Sequence, residues 1–99
     1  MADTPTIRVV AFCEADKWVA QCVEYDIGAQ ADDLDKAKLL FSIALDAEVA
    51  ESVRRHGRPF EGIPAAPERF EKMWADQNST FGPATMHSAS LNVQLALVA

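Results

Sequence analysis

Positive charge is scarce in this sequence. Nine lysines and arginines stand against fifteen acids, for a formal net charge of -6. Phosphate-backbone affinity comes from clustered Lys and Arg, so this balance argues against an unaided nucleic-acid binder and suits a basic protein partner better. Long apolar runs are also missing, and the start, "MADTPTIRVV", lacks a basic region followed by an apolar stretch. No membrane span or targeting segment is therefore expected, and the compartment reads as cytoplasmic. With only two cysteines, Cys13 and Cys22, and two histidines, His56 and His87, no metal-type Cys/His spacing can be assembled. Four glycines make no phosphate-cradling loop.

What is present is the composition of one small folded domain. In 99 residues the hydrophobic share is 49%, which supports a modest core that self-association would help to stabilise. Ile7 to Glu14, "IRVVAFCE", and Trp18 to Tyr25, "WVAQCVEY", are rich in β-branched and aromatic residues and flank the polar "ADK". This is a hairpin signal. Both strands carry apolar residues on both faces, which leaves the register open. A turn at Ala15, Asp16 and Lys17 does not set Cys13 opposite Cys22, and two reduced thiols are expected. "IGAQA" can form a short third strand, with Gly28 allowing a bulge or a close approach.

A long helix starts at Asp33, a good cap residue, with Asp32 and Asp35 near the positive end of the helix dipole. It stops at Gly57, after the basic Arg54 and Arg55. At about 100° per residue, Leu34, Ala37, Leu40, Phe41, Ala44 and Leu45 form one apolar face, and Leu39, Ile43, Ala47 and Ala50 form a second flank. One sheet face cannot cover both. "GRPFEGIPAAP" is a Pro/Gly-punctuated connection anchored by Phe60 and Ile63. Pro67 opens a second helix, 67–78, whose Phe70, Met73 and Trp74 share a face and make it a candidate cover for that second flank. "STFGPATMHSAS" reads as a flexible connector. The ending "LNVQLALVA" reads as a final strand, 90–98, that must pair with this sheet or a neighbour's. The expected architecture is α+β, with a small sheet made of a hairpin, a short third strand and a returning C-terminal strand. One long helix packs on it, and the core spans about 7–55.

Chemistry is thinly represented. Glu14, Glu24, Asp26, Asp32, Asp33 and Asp35 could be considered as a divalent-metal site, because Mg²⁺ takes carboxylates from neighbouring strands. Their spacing matches no metal loop and no general base accompanies them, so strand edge and helix cap are the better reading. Neither cysteine sits where a thiolate would be favoured. No catalytic residue, cofactor or metal is expected.

One stretch carries a family resemblance. "WVAQCVEYDIGAQADDLDKAKLLFSIALDAEV" resembles the HicB-like antitoxin domain, whose signature is a strand of Y/W-x-A-x-C type, a short connection, and Q-G-D-T-x-E-E-A opening a helix. Trp18, Ala20 and Cys22 match the strand, Gln30 and Asp32 the connection, Leu34 and Ala37 the helix start. The likeness covers about Ile7 to Val53, and "RPFEGIPAAPERFEKMW" is similar to the continuation in stand-alone HicB-like proteins. It departs where "VEYDIGA" replaces P-D-L-P-G-C, where Ala31 replaces a glycine, and where nothing after Trp74 resembles a DNA-binding module.

The resemblance implies the order strand, strand, strand, helix, returning strand, and a non-enzymatic protein that neutralises HicA, a small basic ribonuclease. Operator binding is not expected. The acidic edge Glu24, Asp26, Asp32, Asp33 and Asp35 would steer such a partner, with Trp18, Gln21 and Tyr25 as neighbouring contacts. A homo-oligomer, preferably a dimer, would form through Leu39, Ile43, Ala47, Leu95 and Leu97. The alternatives are a Mg²⁺-dependent nuclease on a ribonuclease H-like sheet and an orphan structural or regulatory oligomer.

Overall fold

In a computed structural model that describes residues 6–76 and 92–98, β1 (Thr6–Glu14) occupies the middle of a four-stranded sheet. It pairs antiparallel with β2 (Lys17–Cys22) on one side and parallel with β4 (Asn92–Leu97) on the other, while β3 (Gly28–Ala31) pairs antiparallel with β2. The order is β3-β2-β1-β4, a mixed sheet of α+β type. The returning strand therefore pairs inside its own chain. The connector 79–90, with His87, lies outside the described residues.

A central strand covered on both faces has no polar side, and this is why β1 shows no clean alternation. Ile7, Val9 and Ala11 point to one face and Val10 and Phe12 to the other, all buried. The first face meets α1 (Leu34–His56), whose Ala37, Phe41 and Leu45 are fully buried with Cys22, Val93 and Leu95 in the main core. Each large side chain withdrawn from water here contributes about 1.5–3 kcal/mol. The opposite face meets α2 (Glu68–Asp76), where Phe70 packs with Val10, Phe12 and Val23, and Met73 and Trp74 close the rim.

Several expectations need correction. The second helix does not cover the second flank of α1; it lies on the other side of the sheet, because Val10 and Phe12 offered an apolar surface there. The hairpin turn is Ala15-Asp16 alone, with Lys17 already paired to Glu14. Both turn residues have positive φ, 50° and 65°, as a two-residue turn matching the strand twist requires. The second strand ends at Cys22, short of Tyr25, because Cys22 N–H donates to Ile27 C=O and the chain reverses. Tyr25 instead bridges Ala65 and stacks on Phe60 at 4.3 Å between ring centroids.

Helix α1 starts and stops as its residues dictate. The Asp33 side chain accepts from Lys36 N–H at 2.7 Å. At the other end Gly57 takes φ 79°, a left-handed conformation that costs a side chain dearly, and its N–H donates to Val53 C=O. Cys22 lies opposite Val9, and Cys13 opposite Trp18, so the two thiols are remote along the hairpin and both are free. Among the described residues, no helix is long and apolar enough to cross a membrane.

Candidate functional site

The residues singled out from the sequence do not form one patch. The strand pleat sends Trp18 and Cys22 to the α1 face and Gln21 to the other. Trp18 packs at the rim of the main core, and Tyr25 is half-buried by its stack on Phe60. What the structure brings together is Gln21 and Asp26, where β2 meets the start of β3.

Glu24 is not part of an acidic edge. Its Oε2 accepts from Arg8 Nε at 2.5 Å and its Oε1 accepts from Arg8 N–H at 2.9 Å. The same guanidinium donates to Glu71 of α2, at 3.0 and 2.7 Å, and lies 5.5 Å from the Trp74 ring centroid. The Glu71 hydrogen bonds raise the Arg8 pKa above its ordinary value, partial burial opposes them, and Glu24 adds to the rise. Arg8 thus ties β1, the β2–β3 connection and α2 into one clamp. Next to it, burial pushes the Cys22 thiol up to about 11, so it stays protonated at neutral pH.

The remaining acids are exposed but partly engaged. Asp32 pairs with Lys17 and is held below the usual carboxylate range by that hydrogen bond. Asp33 is the helix cap, and Asp35 lies 3.9 Å from Lys38. Asp26 stands at the start of β3, where its N–H donates to Pro64 C=O and its carboxylate faces Gln21 Nε2 at 3.5 Å. Among the described residues, no three His, Cys, Asp or Glu side chains converge as a metal site would require.

Beside β3 the surface sinks into a depression of about 440 Å³ lined by Val19, Gln21, Asp26, Gly28, Ala29 and Gln30. Gln21 is buried at its floor and donates to Cys22 C=O at 3.2 Å. Gly28 makes this possible, since a Cβ there would lie 2.3 Å from Gln21 Oε1. Val19 joins the depression to the apolar cluster under α2. Among the described residues no strand pairs with the outer side of β3, which leaves that edge available to an added strand. The sequence pointed to Gln21 and Asp26 as contact residues and to Gly28 as a place of bulge or close approach, but not to Val19 or Gln30 as part of this depression. The one available signal was Gly28 inside a strand, which marks a bulge or a close approach.

A smaller depression, about 190 Å³, lies at the end of α1 and includes Glu51, Ser52, Arg55 and His56. Glu51 there bonds both Arg54 and Arg55, and these bonds lower its pKa to about 2. No family model, curated protein or solved structure matches this chain.

Proposed function

We propose that the chain is a non-catalytic protein-binding domain of the HicB-like kind, and that the edge of β3 takes a segment of a small basic protein. The observation that carries this reading is the depression over β2 and β3, next to a β3 outer edge that no described strand pairs, with the Gln21 amide at its floor and Asp26 in its lining. An extended segment can add to such an edge through main-chain hydrogen bonds, and the flanking side chains then set selectivity. Asp26 at one end of β3 and Asp32 at the other give both ends negative charge, which speeds encounter with a Lys/Arg-rich partner. The net charge of -6 acts in the same direction.

Three of the groups that could do chemistry are committed elsewhere: Glu24 to Arg8, Asp33 to the helix start, Cys22 to the core. This supports binding over catalysis. The element order also agrees with what the HicB-like resemblance implies, and the basic partner is then a small ribonuclease. The test is co-expression of the full chain with any short basic protein encoded beside its gene and co-purification of the two, in parallel with the Asp26→Lys, Asp32→Lys double variant. Loss of the complex in the variant supports the reading, and an unchanged complex refutes the placement at β3.

A further inference from the structure

Helix α1 hides an unusual feature behind its core face. Leu39 is 60% exposed and Ile43 58% exposed, and Leu40, Ala47 and Ala50 are also exposed beside them. At about 100° per residue, Ile43 lies about 160° round the helix from both Phe41 and Leu45. The apolar stripe is therefore diametrically opposite the buried face, where a helix serving one core should be polar. Since α2 lies across the sheet, no described element covers it. Leu95 takes no part, being buried in the chain's own core, whereas Leu97 is exposed.

The stripe has a direction. Its large side chains, Leu39, Leu40 and Ile43, come first, and its small ones, Ala47 and Ala50, follow. The helix is polar in charge as well, with Asp32, Asp33 and Asp35 at its start and Arg54, Arg55 and His56 at its end. We infer that this face is an interface between two copies of the chain, paired antiparallel through α1 about a two-fold axis that passes the exposed stripe at the level of residue 45. In that register Ile43 meets the second copy's Ala47, and Leu40 meets its Ala50, so large side chains fill the space above small ones. The acidic start of each helix lies along the basic end of the other, and the helix dipoles oppose. A parallel pair would stack Leu on Leu, leave a gap between the alanines and set like charges together. In the antiparallel register Lys36 also comes opposite the second copy's Arg54, a like-charge contact that offsets part of the end-to-end complementarity, so the apolar stripe sets the affinity.

The interface uses none of the β3 edge, so it stands or falls independently of the partner proposed there. It is tested by sedimentation equilibrium of the full chain up to about 200 µM, a range suited to a single helix-pair contact. The wild type should approach twice its monomer mass. Ile43→Glu, which buries a charge against a second copy but is solvent-exposed in one chain, should weaken association at least about tenfold while leaving the circular dichroism spectrum unchanged. Ala47→Leu should also weaken it, because the space for Ile43 is filled. A wild type that stays monomeric, or an Ile43→Glu variant that dimerises like the wild type, overturns the interface. Tighter association of Ala47→Leu overturns the antiparallel register.

Discussion

Replacing Arg8 with methionine keeps the side-chain stem over Trp74 and removes the guanidinium that joins β1 to Glu24 and Glu71. The Arg8 and Glu24 side chains are 29% and 28% exposed, against 53% for Glu71. A hydrogen bond to a charged group is worth about 1.5–3 kcal/mol when shielded, which this exposure reduces to about 1 kcal/mol for the Glu24 limb. The Glu71 limb has two bonds but faces water, so about 0.5 kcal/mol is expected from it. The contact with Trp74 adds about 0.5 kcal/mol. Arg8→Met should therefore lose about 2 kcal/mol in urea unfolding, or roughly 10 °C in Tm for a domain of this size. A double-mutant cycle should find stronger coupling of Arg8 to Glu24 than to Glu71, and only the latter should fall markedly in 0.5 M salt, taken as roughly full surface screening. The clamp is refuted if Arg8→Met unfolds within about 0.5 kcal/mol of the wild type, or if the Glu71 coupling is the larger.

Other outcomes follow from the same geometry. Phe41→Ala should cost about 3–5 kcal/mol by chemical denaturation, because Phe41 is fully buried between α1 and the sheet. Ala15→Asn should gain about 0.5–1 kcal/mol, since Ala15 holds φ 50° in the hairpin turn and asparagine tolerates it better; no gain in Tm would contradict the turn. Glu51, with its pKa lowered to about 2, stabilises α1 above the ordinary carboxylate range and loses that contribution as pH falls from about 4.5 toward 2. Helicity of the wild type should decline across that window relative to its own neutral value more than in Glu51→Gln. A thiol reagent at neutral pH should label the exposed Cys13 and leave the buried Cys22 until the chain unfolds.

Much of the fold is written locally. Asp33 and Gly57 mark the ends of α1 through capping chemistry that needs no tertiary information. The hairpin, too, shows in its β-branched strands. The position of α2 does not show, because Phe70, Met73 and Trp74 define an apolar face without saying what it meets. The clue was in β1, whose apolar residues on both faces are the mark of a strand covered from both sides. The turn was obscured because Ala15-Asp16 lacks the glycine or asparagine that usually signals positive φ. At the candidate site, Asp26 and Gln21 were legible as residues, but the commitment of Glu24 to Arg8 was not. That pairing crosses from β1 to the β2–β3 connection and depends on the register, which the sequence left open.

The binding reading is tested most directly by immobilising the full chain and passing over it a lysate of the cell that encodes it, beside the Asp26→Lys, Asp32→Lys double variant, at low and high salt. The account predicts that the wild type retains a small basic protein at low salt, and that the variant or high salt releases it. Equal retention by both chains, or no basic protein on either, would contradict it.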